Sequence, residues 1–477
     1  MRVSPNLRVG LLGVGLDTYW NQFTGLQERL KGYLQTIQER LQGPGRDILN
    51  FGLVDSPERA FEVGHKARTQ DIDLLVIYVT TYALSSTVLP VVRRAKVPVL
   101  VLNLQPTPAL DYAAFNALPD RTAMTGEWLA YCFACPMPEL ANVFARCGIP
   151  FHQVNGALVE DETCWREINE WMEGARVAHI LSHTRLGLMG HYYSGMLDIA
   201  TDLVAICNIF GVHIEQLEVD ELSQLRVEAS EISVQQHVTI IRDTFDVQED
   251  CSADELQRAA KTSAALEQLA TRYSLGALAY YYKGSGSERN EDTMSSIIIG
   301  TSLLTGRGIP VAGEYEVKNA LAMKILDTLD AGGSFTEYYA VDFPDDVVLM
   351  GHDGPGHPGI AEGKTKVRPL QVYHGKVGKG LSVEMSVRPG PVTLLSVVET
   401  RQGGFKLLIA EGQTVEGPLL HIGNTNSRYR FPIGARAFLE RWNGNAPAHH
   451  CAVGVGHLAG TLEKLAALLQ IEAVRVC

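Results

Sequence analysis

The chain has no excess of basic residues. Lys and Arg number 41 against 54 Asp and Glu, a formal charge of −13 at pH 7. Binding through phosphate contacts needs the opposite balance, so nucleic acid is not the expected partner. Long apolar runs are also missing. The longest uncharged stretch, Leu74 to Val92, contains Thr80, Thr81, Ser85, Ser86, Thr87 and Pro90. It reads as strand, loop and helix start rather than as a membrane span. The opening MRVSPNLRVGLLGVGLDTYW has a short apolar core and no small-residue cleavage pattern, so no secretory signal is expected. The eight cysteines are scattered without a disulfide framework, which agrees with a reducing compartment. A cytoplasmic protein with no membrane partner follows as the expectation. No internal repeat and no low-complexity segment is visible.

What is present is a globular composition, with 46% apolar and 20% charged residues. A length of 477 residues exceeds one ordinary core, so several domains are expected. Residues 8–15 read as a buried strand. Leu26, Leu30, Leu34, Ile37 and Leu41 mark a helix within 20–42. ILNFGLV, DLLVIYV and VPVLVLNL read as further strands, with helices at 57–70 and 86–95 between them. Apolar strands alternating with helices imply a parallel sheet covered on both faces. Gly10, Gly13 and Gly15 form G-x-x-G-x-G, which is not the dinucleotide fingerprint, and tight packing is the preferred explanation. Cys132 and Cys135 form a C-x-x-C without a second pair, so packing is expected of them too.

A second α/β unit begins near Ala175, with a strand ending at Gly190-His191 and a helix expected from Ser194. Ser252 to Glu255 is a capping box opening a helix to about Tyr273. ALAYYY reads as a strand, followed by the loop KGSGSERNED and a helix over about 292–304. From Lys364 to Arg430 alternating runs such as KVRPLQVYHG, GLSVEMSV and VTLLSVVET predict an antiparallel sheet or barrel. Short helices near 434–442 and 458–469 close the pattern. The expected organisation is therefore α/β: two doubly wound parallel-sheet domains (1–174 and 175–345) and a C-terminal antiparallel β-barrel-like domain (346–477).

The chemistry-bearing residues gather in GEYEVKNALAMKIL, GGSFTEYY, VVLMGH and, far downstream, AHHCAV. Carboxylates and imidazoles at the ends of regular elements form a mixed O/N donor set, which suits Mn²⁺, Co²⁺, Fe²⁺ or Zn²⁺ better than Ca²⁺. Taken singly, a Glu at a helix start is usually a dipole partner and a His usually a hydrogen-bonded loop residue. His191, Tyr192 and Tyr193 sit at a strand-to-helix turn where they could face a ligand or merely cap it.

These four segments resemble, in order, those of the L-arabinose isomerase branch of the L-arabinose and L-fucose isomerase superfamily. The resemblance implies Glu314, Glu337, His352 and His450 as metal ligands, with Glu314 and Glu337 also the acid/base pair. It implies Mn²⁺ or another divalent transition metal as cofactor, an open-chain sugar as substrate and a homo-oligomer, a trimer or hexamer. VPVLVLNLQ is similar to the family strand that ends in a substrate-contacting Gln, here Gln105; His191 and Tyr282 are further substrate-binding candidates. His352 follows Gly351 directly, where the family separates the two by one residue, so His357 in GHDGPGHPG is a rival ligand. The loop GVGLDTYWNQF lacks the family's Ser-Gln-His pattern. L-Arabinose to L-ribulose is the default reaction. Another pentose or a 6-deoxyhexose such as L-fucose, and a non-catalytic sugar-binding protein of the same fold, stay open. An NAD(P)-dependent oxidoreductase is a distant third.

Overall fold

The computed structural model describes residues 6–284, 286–371 and 379–477. It forms two compact units, Met1–His179 and Ile180–Cys477. Ser285, in the expected glycine-rich loop, and residues 372–375, the end of the expected run KVRPLQVYHG, lie outside the described residues.

The first unit holds five strands: β1 (Leu7–Val14), β2 (Arg46–Val54), β3 (Leu74–Val79), β4 (Val99–Gln105) and β5 (His152–Ala157). All pair in parallel, in the order β2-β1-β3-β4-β5. That order reverses direction beside β1, as in a doubly wound sheet. Every residue of β3 is buried, because helices cover both faces. The helix Leu26–Leu41 buries Leu26, Leu30, Leu34, Ile37 and Leu41, the face its spacing predicts. A Cβ on Gly13 would meet Leu53 Cδ2 at 2.8 Å. Close packing, the explanation preferred from the sequence, accounts for that glycine. Cys132 is buried whereas Cys135 is exposed.

The second unit opens with β6 (Arg185–Gly190) and β7 (His213–Leu217). A two-residue strand β8 (Asp246–Val247) follows, then β9 (Leu275–Tyr281) and β10 (Val311–Ala312). β10, β9, β6 and β7 form a parallel sheet in that order. Ser252 caps the helix Ala253–Tyr273 by accepting from the Glu255 N–H, the N-cap half of the predicted capping box, while the Glu255 carboxylate accepts from Arg258. Two expectations fail. No helix starts at Ser194; Leu203–Phe210 is the helix, because Asp202 Oδ1 accepts from the N–H groups of Val204 and Ala205. The helix expected over 292–304 is two, Glu288–Met294 and Ile298–Thr305.

The antiparallel region contains β11 (Gly332–Asp342), β12 (Val347–His352), β13 (Lys366–Pro369) and β14 (Leu381–Glu384). β15 (Gly390–Glu399), β16 (Phe405–Thr414), β17 (Thr425–Arg430), β18 (His450–Val455) and β19 (Glu472–Arg475) complete it. Seven of these make one sheet, β15-β18-β11-β12-β17-β16-β19, with β15 also paired to β16. β13 and β14 join β8 in a small separate sheet. The expected barrel-like antiparallel region is present, and its large sheet curls back on itself through β15–β16 without closing as a barrel. β16 divides its outer edge between β19 at residues 406–409 and only two residues of β17. The curl is barrel-like, but the β16–β17 ladder is too short to close evenly.

The helix Val317–Thr328 touches β9 and β10 of the parallel sheet and β11, β15 and β18 of the antiparallel one. The sequence suggests one apolar face, yet ten of its twelve residues are buried, Lys318 and Asn319 included. A helix held between two sheets has no solvent face. Among the described residues, no helix is long and apolar enough to cross a membrane.

Candidate metal centre

Three adjacent strands carry the site. In β11, Glu337 is directly opposite His450 of β18 on one side and Gly351 of β12 on the other. His352 is the next residue. Cross-strand neighbours lie about 5 Å apart, so register alone gathers a carboxylate and two imidazoles from distant segments. Gly351 permits the approach: a Cβ there would lie 1.8 Å from the Thr425 carbonyl oxygen. Phe335, two residues before Glu337, packs against both imidazoles, with ring centroids 4.5 Å from His352 and 4.4 Å from His450.

Glu314 arrives from the other sheet. After β10 the chain turns sharply, and Glu314 and Tyr315 both take positive φ, 58° and 65°. Consecutive non-glycine residues in that region are costly and persist only where surrounding contacts impose them. The Tyr315 N–H is tied to Tyr280 O at 2.9 Å, and the helix begins at once with Val317.

The side chains converge as two triads that share His450. Glu314, His449 and His450 have ligand atoms within 4.8 Å of one another, and so do Glu337, His352 and His450. All four residues expected from the sequence fall in these groups, and His449 joins them. His357 falls in neither. Its Nδ1 accepts from the Gly359 N–H and caps the turn Pro358–Ile360.

His450 is fully buried, and its Nδ1 is hydrogen-bonded to the Glu316 carboxylate. Burial first, then the neighbouring His449, push its pKa down to about 3, so the ring is neutral. Burial likewise raises Glu316 to about 8. With Nδ1 turned to Glu316, Nε2 is the ring nitrogen that faces Glu314. His449 behaves differently. Burial pulls its pKa down, but the Glu314 and Asp198 carboxylates outweigh this and raise it to about 9.

The donor set fits a divalent cation. Glu314 Oε2 and His450 Nε2 are buried, face each other at 3.3 Å and have no hydrogen-bond partner among the described residues. A buried carboxylate oxygen and a buried imidazole nitrogen converging on one point are what a cation would satisfy. A carboxylate behind a ligating imidazole, as Glu316 stands behind His450, fixes tautomer and ring orientation in metal sites. Beside Glu337 and His449 lies a cavity of about 330 Å³, lined also by Asp198, Tyr338 and Trp442.

The remaining sequence candidates belong to neither triad. Gln105 ends β4 in the first unit, its amide donating to Pro108 O. His191 is exposed after β6, its ring edge-on to Tyr281 at 5.3 Å. Tyr282 is half-buried just after β9. Sequence reasoning gave no role to Glu316, His449 or Asp198. The acidic doublet and the His-His pair were visible signals for the first two; Asp198 had none.

Two comparisons bear on this arrangement. A family model described as the L-arabinose isomerase C-terminal domain matches residues 332–472. That span begins with β11 and includes Glu337, His352 and His450. An L-arabinose isomerase of Nocardioides sp. (strain ATCC BAA-499 / JS614) is 24% identical over 351 residues, covering 71% of this chain and 68% of that protein.

Proposed function

We infer, from the premise that the chain belongs to the L-arabinose isomerase family, that it is a divalent-metal-dependent aldose–ketose isomerase acting on an open-chain sugar. The observation that carries this reading is the pair of carboxylates, Glu314 and Glu337, each within 4.8 Å of the neutral His450. A divalent ion held by Glu314, Glu337, His352 and His450 would polarise the two sugar oxygens and stabilise the charge of the enediol. Glu314 and Glu337 move the carbon-bound proton: one carboxylate takes it from C2, and C1 receives it. The O2 hydroxyl proton passes to O1, so the ketose contains every atom of the aldose. Phe335, under both imidazoles, keeps water from one side of the site. His191 and Tyr282 are candidates for orienting the sugar hydroxyls. L-Arabinose to L-ribulose is the default substrate pair and Mn²⁺ the default metal; we place the enzyme in the cytoplasm as a homo-oligomer.

The test is ketose formation by chelator-treated protein with Mn²⁺ restored, across a panel of aldopentoses and 6-deoxyhexoses. Metal-dependent ketose from one sugar supports the reading and names the substrate. Uptake of sugar without turnover, and without metal, would replace it with the sugar-binding alternative.

A further inference from the structure

His449, next to the buried His450, is held from a segment far away in sequence. Asp198 Oδ2 accepts both the backbone N–H of His449 at 3.0 Å and its ring Nδ1–H at 2.6 Å. With Nδ1 committed, Nε2 is the ring nitrogen left to face the site, 3.8 Å from Glu314 Oε2. The ring also lies against His450, with centroids 3.8 Å apart. Asp198 is itself anchored. It sits in the short turn Leu197–Ile199, and the buried Lys318 Nζ donates to the carbonyls of Asp198 and Ala200 at 2.7 and 3.0 Å. Thr201 donates to Glu399 at 2.7 Å. The helix start that follows Glu314 and Glu316 thus also fixes the segment that orients His449. Both partners of the pair are partly exposed, at 35% and 40% for His449 and Asp198. Such a pair adds little to fold stability; two bonds to one carboxylate oxygen mainly fix the direction of the ring.

We propose that Asp198 is a positioning residue for the cation site: it holds His449 with Nε2 turned toward Glu314, so that Glu314, His449 and His450 are assembled before an ion arrives. His449 then supplies a nitrogen donor beyond the four residues implied by the family resemblance. This rests on the metal-dependent reading above.

The experiment is calorimetric titration of Mn²⁺ into chelator-treated full-length protein. Asp198→Ala is expected to weaken Mn²⁺ binding by about 10–100-fold, the usual effect of removing an outer partner of a ligating imidazole. The melting temperature of the metal-free protein should not change. Asp198→Asn, whose amide oxygen can accept the same two N–H bonds, should recover affinity to within about threefold of wild type. His449→Ala should match Asp198→Ala, and the double variant should be no weaker than either, because both changes remove one interaction. Wild-type affinity in Asp198→Ala, no recovery in Asp198→Asn, or losses that multiply in the double variant would each overturn the inference and leave the metal-dependent reading standing. A wild-type protein that takes up no Mn²⁺ overturns both, through that reading.

Discussion

In the proposed mechanism Glu314 and Glu337 transfer the proton, while Glu316 supports the His450 imidazole; the three carboxylates should respond differently to loss of charge. Glu314→Gln and Glu337→Gln keep the shape but remove the base, so each should lower kcat by at least about 10²-fold with the fold intact. Residual activity within about tenfold of wild type, roughly 1.4 kcal/mol of barrier, would refute the acid/base assignment. Glu316→Ala instead leaves His450 Nδ1 without its acceptor in a fully buried position. Mn²⁺ affinity should fall by about 10–100-fold, and Glu316→Gln should recover part of it. His352 and His357 separate by the same logic. His357 has a local task, accepting from Gly359 at 3.1 Å, so His357→Ala should keep its metal stoichiometry while His352→Ala loses it. At this scale, sequence spacing could pick out the Glu314 doublet and the His449-His450 pair. It could not reach Asp198, which enters only through a bond spanning 251 positions.

Elements explain why residues so far apart meet. β11 lies between β12 and β18, so its register sets where Glu337, His352 and His450 stand. Gly351 is the weak point of that register. Alanine there would drive a methyl to 1.8 Å from a backbone oxygen of β17, which no rotamer can relieve. Gly351→Ala should destabilise the protein by about 1–3 kcal/mol, or more where the strand cannot shift. Circular-dichroism melting with and without Mn²⁺ checks this; a variant that melts and binds Mn²⁺ like wild type would show that β12 shifts to make room for the methyl. The same elements show what patterning can reveal. β3 and the helix Leu26–Leu41 were legible because burial on two faces, or on one stripe, writes a period into the sequence. The failed helix at Ser194 has a local cause, since the cap that starts the helix is Asp202. How far the barrel-like sheet closes has a long-range cause, since β16 shares one edge between β17 and β19, and no local period encodes that.

The two compact units differ in what they hold. The residues of both triads belong to Ile180–Cys477, and none to Met1–His179. An ion bound only by the native second unit stabilises that unit by mass action, by about 2.7 kcal/mol at a free concentration one hundred times the dissociation constant. The first unit, with its own five-stranded sheet and core, has no such term. Differential scanning calorimetry should therefore resolve a transition that moves upward with added Mn²⁺ and one that does not. Glu314→Gln should reduce the movement without shifting the stationary transition. If both transitions move together, the units unfold as one and the ion stabilises the whole chain. If neither moves, the acceptors at Glu314 and His450 are satisfied by something other than a cation, and the isomerase reading loses the feature that carries it.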